Sequence, residues 1–199
     1  MILSRRNPII LIHGLWNTAD IFSSITSKLD ERGIEYFAPT LKHKYGMKSI
    51  VELTYLFNEL ILEKYGIEKE LDILGFSMGG IIGRYWIKKM NGYKRTRRFI
   101  TVGSPHKGTL ASQLVPKYPF SGISEMKINS LLLRDLSKYD YLLSEINCIS
   151  FFTYWDLMVF PGWRASLNSG EKISLKIYKH KNLIRNTDAV EKIIERLLN

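Results

Sequence analysis

Leu71-Asp72-Ile73-Leu74-Gly75-Phe76-Ser77-Met78-Gly79-Gly80 sets a short apolar run against a glycine-rich turn, and the residues from Met78 to about Met90 carry helical patterning. The reading is strand, tight turn, helix, with a serine at the apex and a glycine two positions to either side. A side chain at those flanking positions would collide with neighbouring backbone, so glycine there is a steric requirement. Such a turn lifts the hydroxyl clear of the sheet and sets it at a helix N-terminus, which favours negative charge developing nearby.

Outward from this turn, strands alternate with amphipathic helices, the pattern of a mostly parallel sheet covered on both faces. Pro8-Ile9-Ile10-Leu11-Ile12-His13 reads as a buried central strand ended by Gly14. Ile21, Phe22, Ile25 and Leu29 mark a helix with Asn17 or Thr18 as cap and Gly33 as stop. Tyr36 to Pro39 is a second strand. Ser49-Ile50-Val51-Glu52 has capping-box spacing before the apolar face Leu53, Leu56, Phe57, Leu60 and Ile61. Further strands are expected over 98–103, 146–154 and 173–178, and a last helix presents Val190, Ile193, Ile194, Leu197 and Leu198. The whole is an α/β, doubly wound, mostly parallel sheet of about six strands with helices on both faces. Residues 104–145 form a short cap or lid insertion, with short helices expected over 110–115 and 131–143.

The chain of 199 residues shows no repeat or linker and is expected to be one domain, 1–199. With 45% hydrophobic and 24% charged residues it is globular, and no run approaches the roughly 18 apolar residues of a spanning helix. Arg5 and Arg6 follow only two apolar residues, unlike a signal peptide, and Cys148 is the single cysteine. Cytoplasmic location is the expectation, with Cys148 packed in a strand. The net charge of +10 favours peripheral contact with an anionic membrane surface. The densest basic cluster, Lys94-Arg95-Thr96-Arg97-Arg98, reads as a solvated loop. No zinc-finger or RNA-recognition signature accompanies it, so no nucleic acid is expected. Neither GxxxxGK[ST] nor GxGxxG occurs, and no cofactor is expected.

A serine hydroxyl needs a base, and where the nucleophile sits on a strand-to-helix turn the partners come in the order serine, acid, histidine. Of the four histidines, His13 and His43 precede Ser77, and His106 comes before any later strand that could supply the acid. His180, directly after the last expected strand, remains. Asp156 closes Phe151-Phe152-Thr153-Tyr154-Trp155-Asp156 at the end of the preceding strand, whereas Asp135 and Asp140 lie in the insertion and Asp188 lies beyond the histidine. Such a carboxylate orients the imidazole and stabilises its protonated form. The backbone N–H groups of Met78 and of Leu15, with Trp16 as the alternative to Leu15, are the candidate oxyanion donors. The Trp16 ring either lines the substrate pocket or belongs to the core.

Taken together, His13-Gly14-Leu15-Trp16, Gly75-Phe76-Ser77-Met78-Gly79-Gly80, Gly103-Ser104-Pro105-His106-Lys107-Gly108-Thr109, Asp156 and His180 resemble the lipase and esterase branch of the α/β-hydrolases, close to small bacterial triacylglycerol-lipase-like enzymes. The resemblance implies cleavage of a carboxylic ester, lipid-like, through an acyl-Ser77 intermediate, and it places His106 at the rim of the site in a non-catalytic role. Acyl transfer or thioester cleavage would use the same residues. A catalytically silent binding module is the reading from another class. Larger relatives hold calcium with extra aspartates near the acid and the histidine. Here only Glu171 lies between Asp156 and His180, and no structural calcium is expected.

Overall fold

The computed structural model describes residues 6–199; residues 1–5, which include part of the N-terminal stretch read above, lie outside the described residues. Six strands form one all-parallel sheet: β1 (Ile9–Ile12), β2 (Tyr36–Phe37), β3 (Leu71–Phe76), β4 (Thr96–Val102), β5 (Asn147–Phe152) and β6 (Glu171–Ser174), in the order β2-β1-β3-β4-β5-β6. The helices are α1 (Ser23–Asp30), α2 (Ile50–Tyr65), α3 (Met78–Lys89), α4 (Ser121–Ser124), α5 (Leu131–Ser137) and α6 (Thr187–Leu198). This is the doubly wound α/β architecture expected from the alternation.

Successive residues of a strand point to opposite faces, and the burial obeys that period. Ile10 and Ile12 of β1 join Ile73 and Phe99 against Leu53, Phe57, Ile61, Ile81 and Trp86 of α2 and α3. Ile9 and Leu11 join Leu74, Ile100 and Phe151 against Ile25 and Leu29 of α1 and Val190, Ile193, Ile194 and Leu197 of α6. Fully burying one such side chain is worth roughly 1.5–3 kcal/mol. The 3.6-residue apolar stripes therefore decide where the helices dock.

Several local expectations change. The α1 segment opens through a 3-10 turn, Ala19–Phe22, and Thr18 makes no capping bond; its hydroxyl donates to Asp20 instead. The capping box on α2 forms as read, with Ser49 Oγ accepting from the Glu52 N–H and Glu52 accepting from the Ser49 N–H. The basic cluster is no solvated loop. It runs into β4: just before the strand Arg95 donates to the Lys69 and Gly66 carbonyls, and within it the buried Arg98 donates to Asp72 and to the Leu197 carbonyl, while Lys94 and Arg97 stay exposed. Cys148 is buried in β5, and burial pushes its thiol up to about 12. No helix among the described residues is long and apolar enough to cross a membrane.

Within 104–145, the segment 131–143 is packed down against α3. Leu133, Leu136 and Leu143 are buried in the core. Asp140 accepts from Arg84 at 2.8 Å and from Lys88, both on α3, and Asn168 donates to its other oxygen at 2.9 Å. Burial pulls Lys88 down to about 8 despite the pairing.

The sheet order reverses beside β1, whose outgoing connection leads to β2 on one side while β3 lies on the other. In open parallel sheets ligands bind outside the carboxyl ends of the strands at such a switch point. The loop after β1 and the turn after β3 meet there.

Candidate active site

Ser77 holds φ 53°, ψ −126°, a left-handed backbone that costs of order 1–3 kcal/mol for a residue with a side chain. Its own N–H donates to the Val102 carbonyl at 2.9 Å, so the turn is clamped by β4. A Cβ on Gly79 would lie 1.9 Å from the Ile12 carbonyl oxygen, and one on Gly75 would lie 2.4 Å from the Gly80 Cα. Backbone packs against backbone on both sides of the serine, a close approach that only glycine allows.

Asp156 and His180 come together. His180 Nδ1 lies 2.6 Å from Asp156 Oδ2, while Asp156 Oδ1 accepts from the Met158 and Val159 N–H groups at 2.9 and 3.1 Å. The carboxylate is 1% exposed and fully committed. An ionised carboxylate only accepts, so Nδ1 carries the proton and Nε2 presents a lone pair. Nε2 is buried without a partner among the described residues, and no hydrogen bond joins it to Ser77 Oγ. Nucleophile–base contacts are often long before substrate binds. The imidazole lies over the Phe76 ring, centroids 4.9 Å apart at 30°, which fixes its plane. His180 opens a 3-10 turn, His180–Ile184, six residues beyond β6 rather than directly after the strand.

Ser77 and His180 share the wall of a cavity of about 670 Å³, within the roughly 300–1,000 Å³ usual for small-molecule sites. The rest of the lining is mostly apolar: Leu15, Trp16, Leu114, Val115, Phe120, Ile123, Met126, Met158 and Val159 among others. Trp16 is therefore a wall residue and not part of the core. A wider, shallow cleft among Arg6, Arg32, Glu35, Glu191 and Glu195 opens at the amino ends of the strands and holds none of these groups.

The Trp16 N–H is engaged. It donates to His43 Nε2 at 3.0 Å, and Trp16 holds φ 59°. In return the Leu41 N–H donates to His13 Nε2 at 2.8 Å, and His13 Nδ1 donates to the Gly14 carbonyl at 2.9 Å. Two loops thus grip each other through two neutral imidazoles. Burial lowers the pKa of both, His13 and His43. Of the two donors considered after β1, only Leu15 keeps an N–H without a partner among the described residues. The Met78 N–H, first in α3, has no intrahelical acceptor. His43 lies 27 residues from Trp16 in sequence, and nothing local in the chain announces the contact.

His106 is not at the rim. It is 2% exposed and packs edge-on to Phe99, with Arg84 donating to its carbonyl at 3.0 Å. Burial, followed by the charges of Arg84, Lys88 and Lys107, pushes its imidazole well below the ordinary value. The reason is the turn at Ser104–Gly108, which tucks the ring inward behind α3 instead of toward the cavity.

Residues 8–155 match the model of the palmitoyl protein thioesterase family. The chain belongs to this family. The matched stretch contains the Ser77 turn and the loop after β1 and ends one residue before Asp156. Among solved structures, the chain is similar to mature lipase BlEst2 of Bacillus licheniformis, at 14% identity over 98% of this chain and 93% of that one, TM-score 0.73. It is also similar to lipase B of Aspergillus fumigatus, at 14% over 98% and 53%, TM-score 0.76. A pyrethroid hydrolase from Sphingobium faniae matches at 16% over 96% and 97%, TM-score 0.63. These likenesses establish the α/β-hydrolase fold. With the family, they make the chain an enzyme of the carboxylic ester hydrolase class.

Proposed function

We propose that the protein hydrolyses acyl esters or thioesters with long apolar acyl groups through an acyl-Ser77 intermediate. The observation that carries the proposal is that Ser77 and an Asp156-bound His180 open on one apolar cavity. In this reading His180 Nε2 takes the Ser77 Oγ proton as Oγ attacks the acyl carbon. Asp156 stabilises the imidazolium, and the Leu15 and Met78 N–H groups receive the oxyanion. His180 then protonates the departing alcohol or thiol, and water, deprotonated by the same ring, releases the acid from Ser77.

Membership of the palmitoyl protein thioesterase family favours a thioester with a long chain, and the cavity has room for an extended apolar group. Leu114 and Tyr118, 96% and 89% exposed, and Leu157, 80% exposed, stand on or next to its lining, with Lys117, Lys179 and Lys181 nearby in sequence. An apolar collar set with cations supports delivery of the acyl chain from an anionic membrane surface. Residues 110–123, not 131–143, are the part of the insertion suited to cover the cavity, and the chain is read as one domain.

The test pairs oxygen esters and thioesters of graded acyl length. Turnover should rise with chain length and fall by several orders of magnitude in Ser77→Ala; a Ser77→Ala variant with undiminished turnover would overturn the assignment.

A further inference from the structure

Apart from the Ser77 cavity, a second crevice of about 340 Å³ lies behind α3, lined by His106, Lys107, Arg134, Trp163, Arg164 and Asn168 among others, with no carboxylate in its wall. Lys107 and Arg164 both lie over the Trp163 ring, at 5.6 and 5.1 Å from its centroid. Asp140, the one carboxylate whose charge bears on Lys107, is already paired with Arg84, Lys88 and Asn168. Lys107 forms no ion pair among the described residues. After desolvation, crowding by Lys172, Arg164 and Arg84 lowers its affinity for a proton.

His106 lines the same crevice. It is 2% exposed, and neither ring nitrogen has a partner among the described residues. A neutral imidazole always carries one N–H, and a buried donor left unpaired is destabilising. Cations without a carboxylate partner beside an unsatisfied buried donor form a surface complementary to an anion.

We infer that this crevice binds a phosphate group, held by Lys107, Arg134 and Arg164 with a hydrogen bond from His106. Phosphate offers several acceptor oxygens and charge enough to answer three cations, and guanidinium groups bind it in a fork. The inference does not rest on the hydrolase assignment, because binding is read without turnover.

The experiment measures thermal unfolding of the full chain in inorganic phosphate and in glycerol 3-phosphate, each against chloride at matched ionic strength. At a concentration about tenfold above Kd the midpoint should rise by about 3–5 °C. The rise should be absent in Lys107→Gln and reduced in Arg134→Gln. Without phosphate, at low salt, Lys107→Gln should melt no lower than the parent, since it removes a repelled charge; a lost response is then not misfolding. Pelleting with phosphatidylglycerol against phosphatidylcholine vesicles separates the two sources. A preference for phosphatidylglycerol that Lys107→Gln abolishes identifies a lipid headgroup, and an unchanged preference identifies a soluble phosphate. No rise beyond the chloride control, or an equal rise in both variants, overturns the site.

Discussion

Trp16 and His43 are joined by a hydrogen bond in which the Trp16 backbone N–H donates to His43 Nε2 at 3.0 Å. That bond removes Trp16 from the candidate oxyanion donors and holds the neighbouring Leu15 in place. On the proposed mechanism His43 is thus a positioning residue. His43→Ala should lower kcat by roughly tenfold to a hundredfold, less than the ~10²–10³ of deleting a donor, with KM little changed. His43→Gln, which restores an acceptor at a similar reach, should recover most of the loss. If Gln is as poor as Ala, or if the change falls on KM, the clamp does not act on the reacting centre.

Asp156→Asn tests the partner of His180. Asparagine keeps the shape but can face Nδ1 with an amide N–H, which favours the wrong tautomer. On the proposed mechanism kcat should fall by about 10⁴ while the fold, read by circular dichroism, stays intact. A loss under tenfold would remove Asp156 from the mechanism.

The Asp140 pin is a matter of stability. Asp140→Asn leaves Arg84 and Lys88 buried beside each other without an anion. Removing one member of a buried ionic group costs about 3–5 kcal/mol. Urea unfolding should show a loss of that order; a loss under 1 kcal/mol would mean that 131–143 is held by its leucines alone.

Acid should weaken the protein through its buried neutral histidines. His13 and His106 have pKa values lowered by burial, so as pH falls below about 6.5 the unfolded chain binds protons before the folded one does. Their stabilisation is complete above about pH 6.5 and is lost as pH falls toward the lowered folded values, at up to about 1.4 kcal/mol per pH unit for each ring. Urea midpoints at pH 7.5, 6.0 and 5.0 should decline in that order, and a flat profile would contradict the burial of neutral rings.

What the chain disclosed in advance was whatever local chemistry controls. The Ser49–Glu52 box placed α2, and the glycines around Ser77 placed the turn, because each depends on residues a few positions apart. The sequence pattern predicts the last strand over 173–178, but it pairs only over Glu171–Ser174. Its side-chain alternation continues, yet the partner β5 ends at Phe152; beyond Ser174 only the Leu175 N–H bond to the Phe152 carbonyl and a Thr153 hydroxyl bond to the Ile177 carbonyl join the two segments. The proposal of Ser77, Asp156 and His180 as partners follows from their order along the fold. The roles of His43 and Asp140 depend on loops that meet only in three dimensions, and the inward turn of His106 likewise has no local signal.

The strand order also gives the site a history. β3, β4, β5 and β6 join the sheet outward from β1 in the order in which a ribosome delivers them, and domains are made N-terminal end first. Val102, which accepts the Ser77 N–H, is available early; residue 180 comes after every strand. On the proposed mechanism, a chain that ends between β4 and residue 180 holds the partner of the serine turn but not the base. Stalled chains ending before residue 180 should resist a fluorophosphonate that labels the finished protein. On the proposed mechanism, reactivity toward the probe then depends on the segment that carries His180 and not on the serine turn alone.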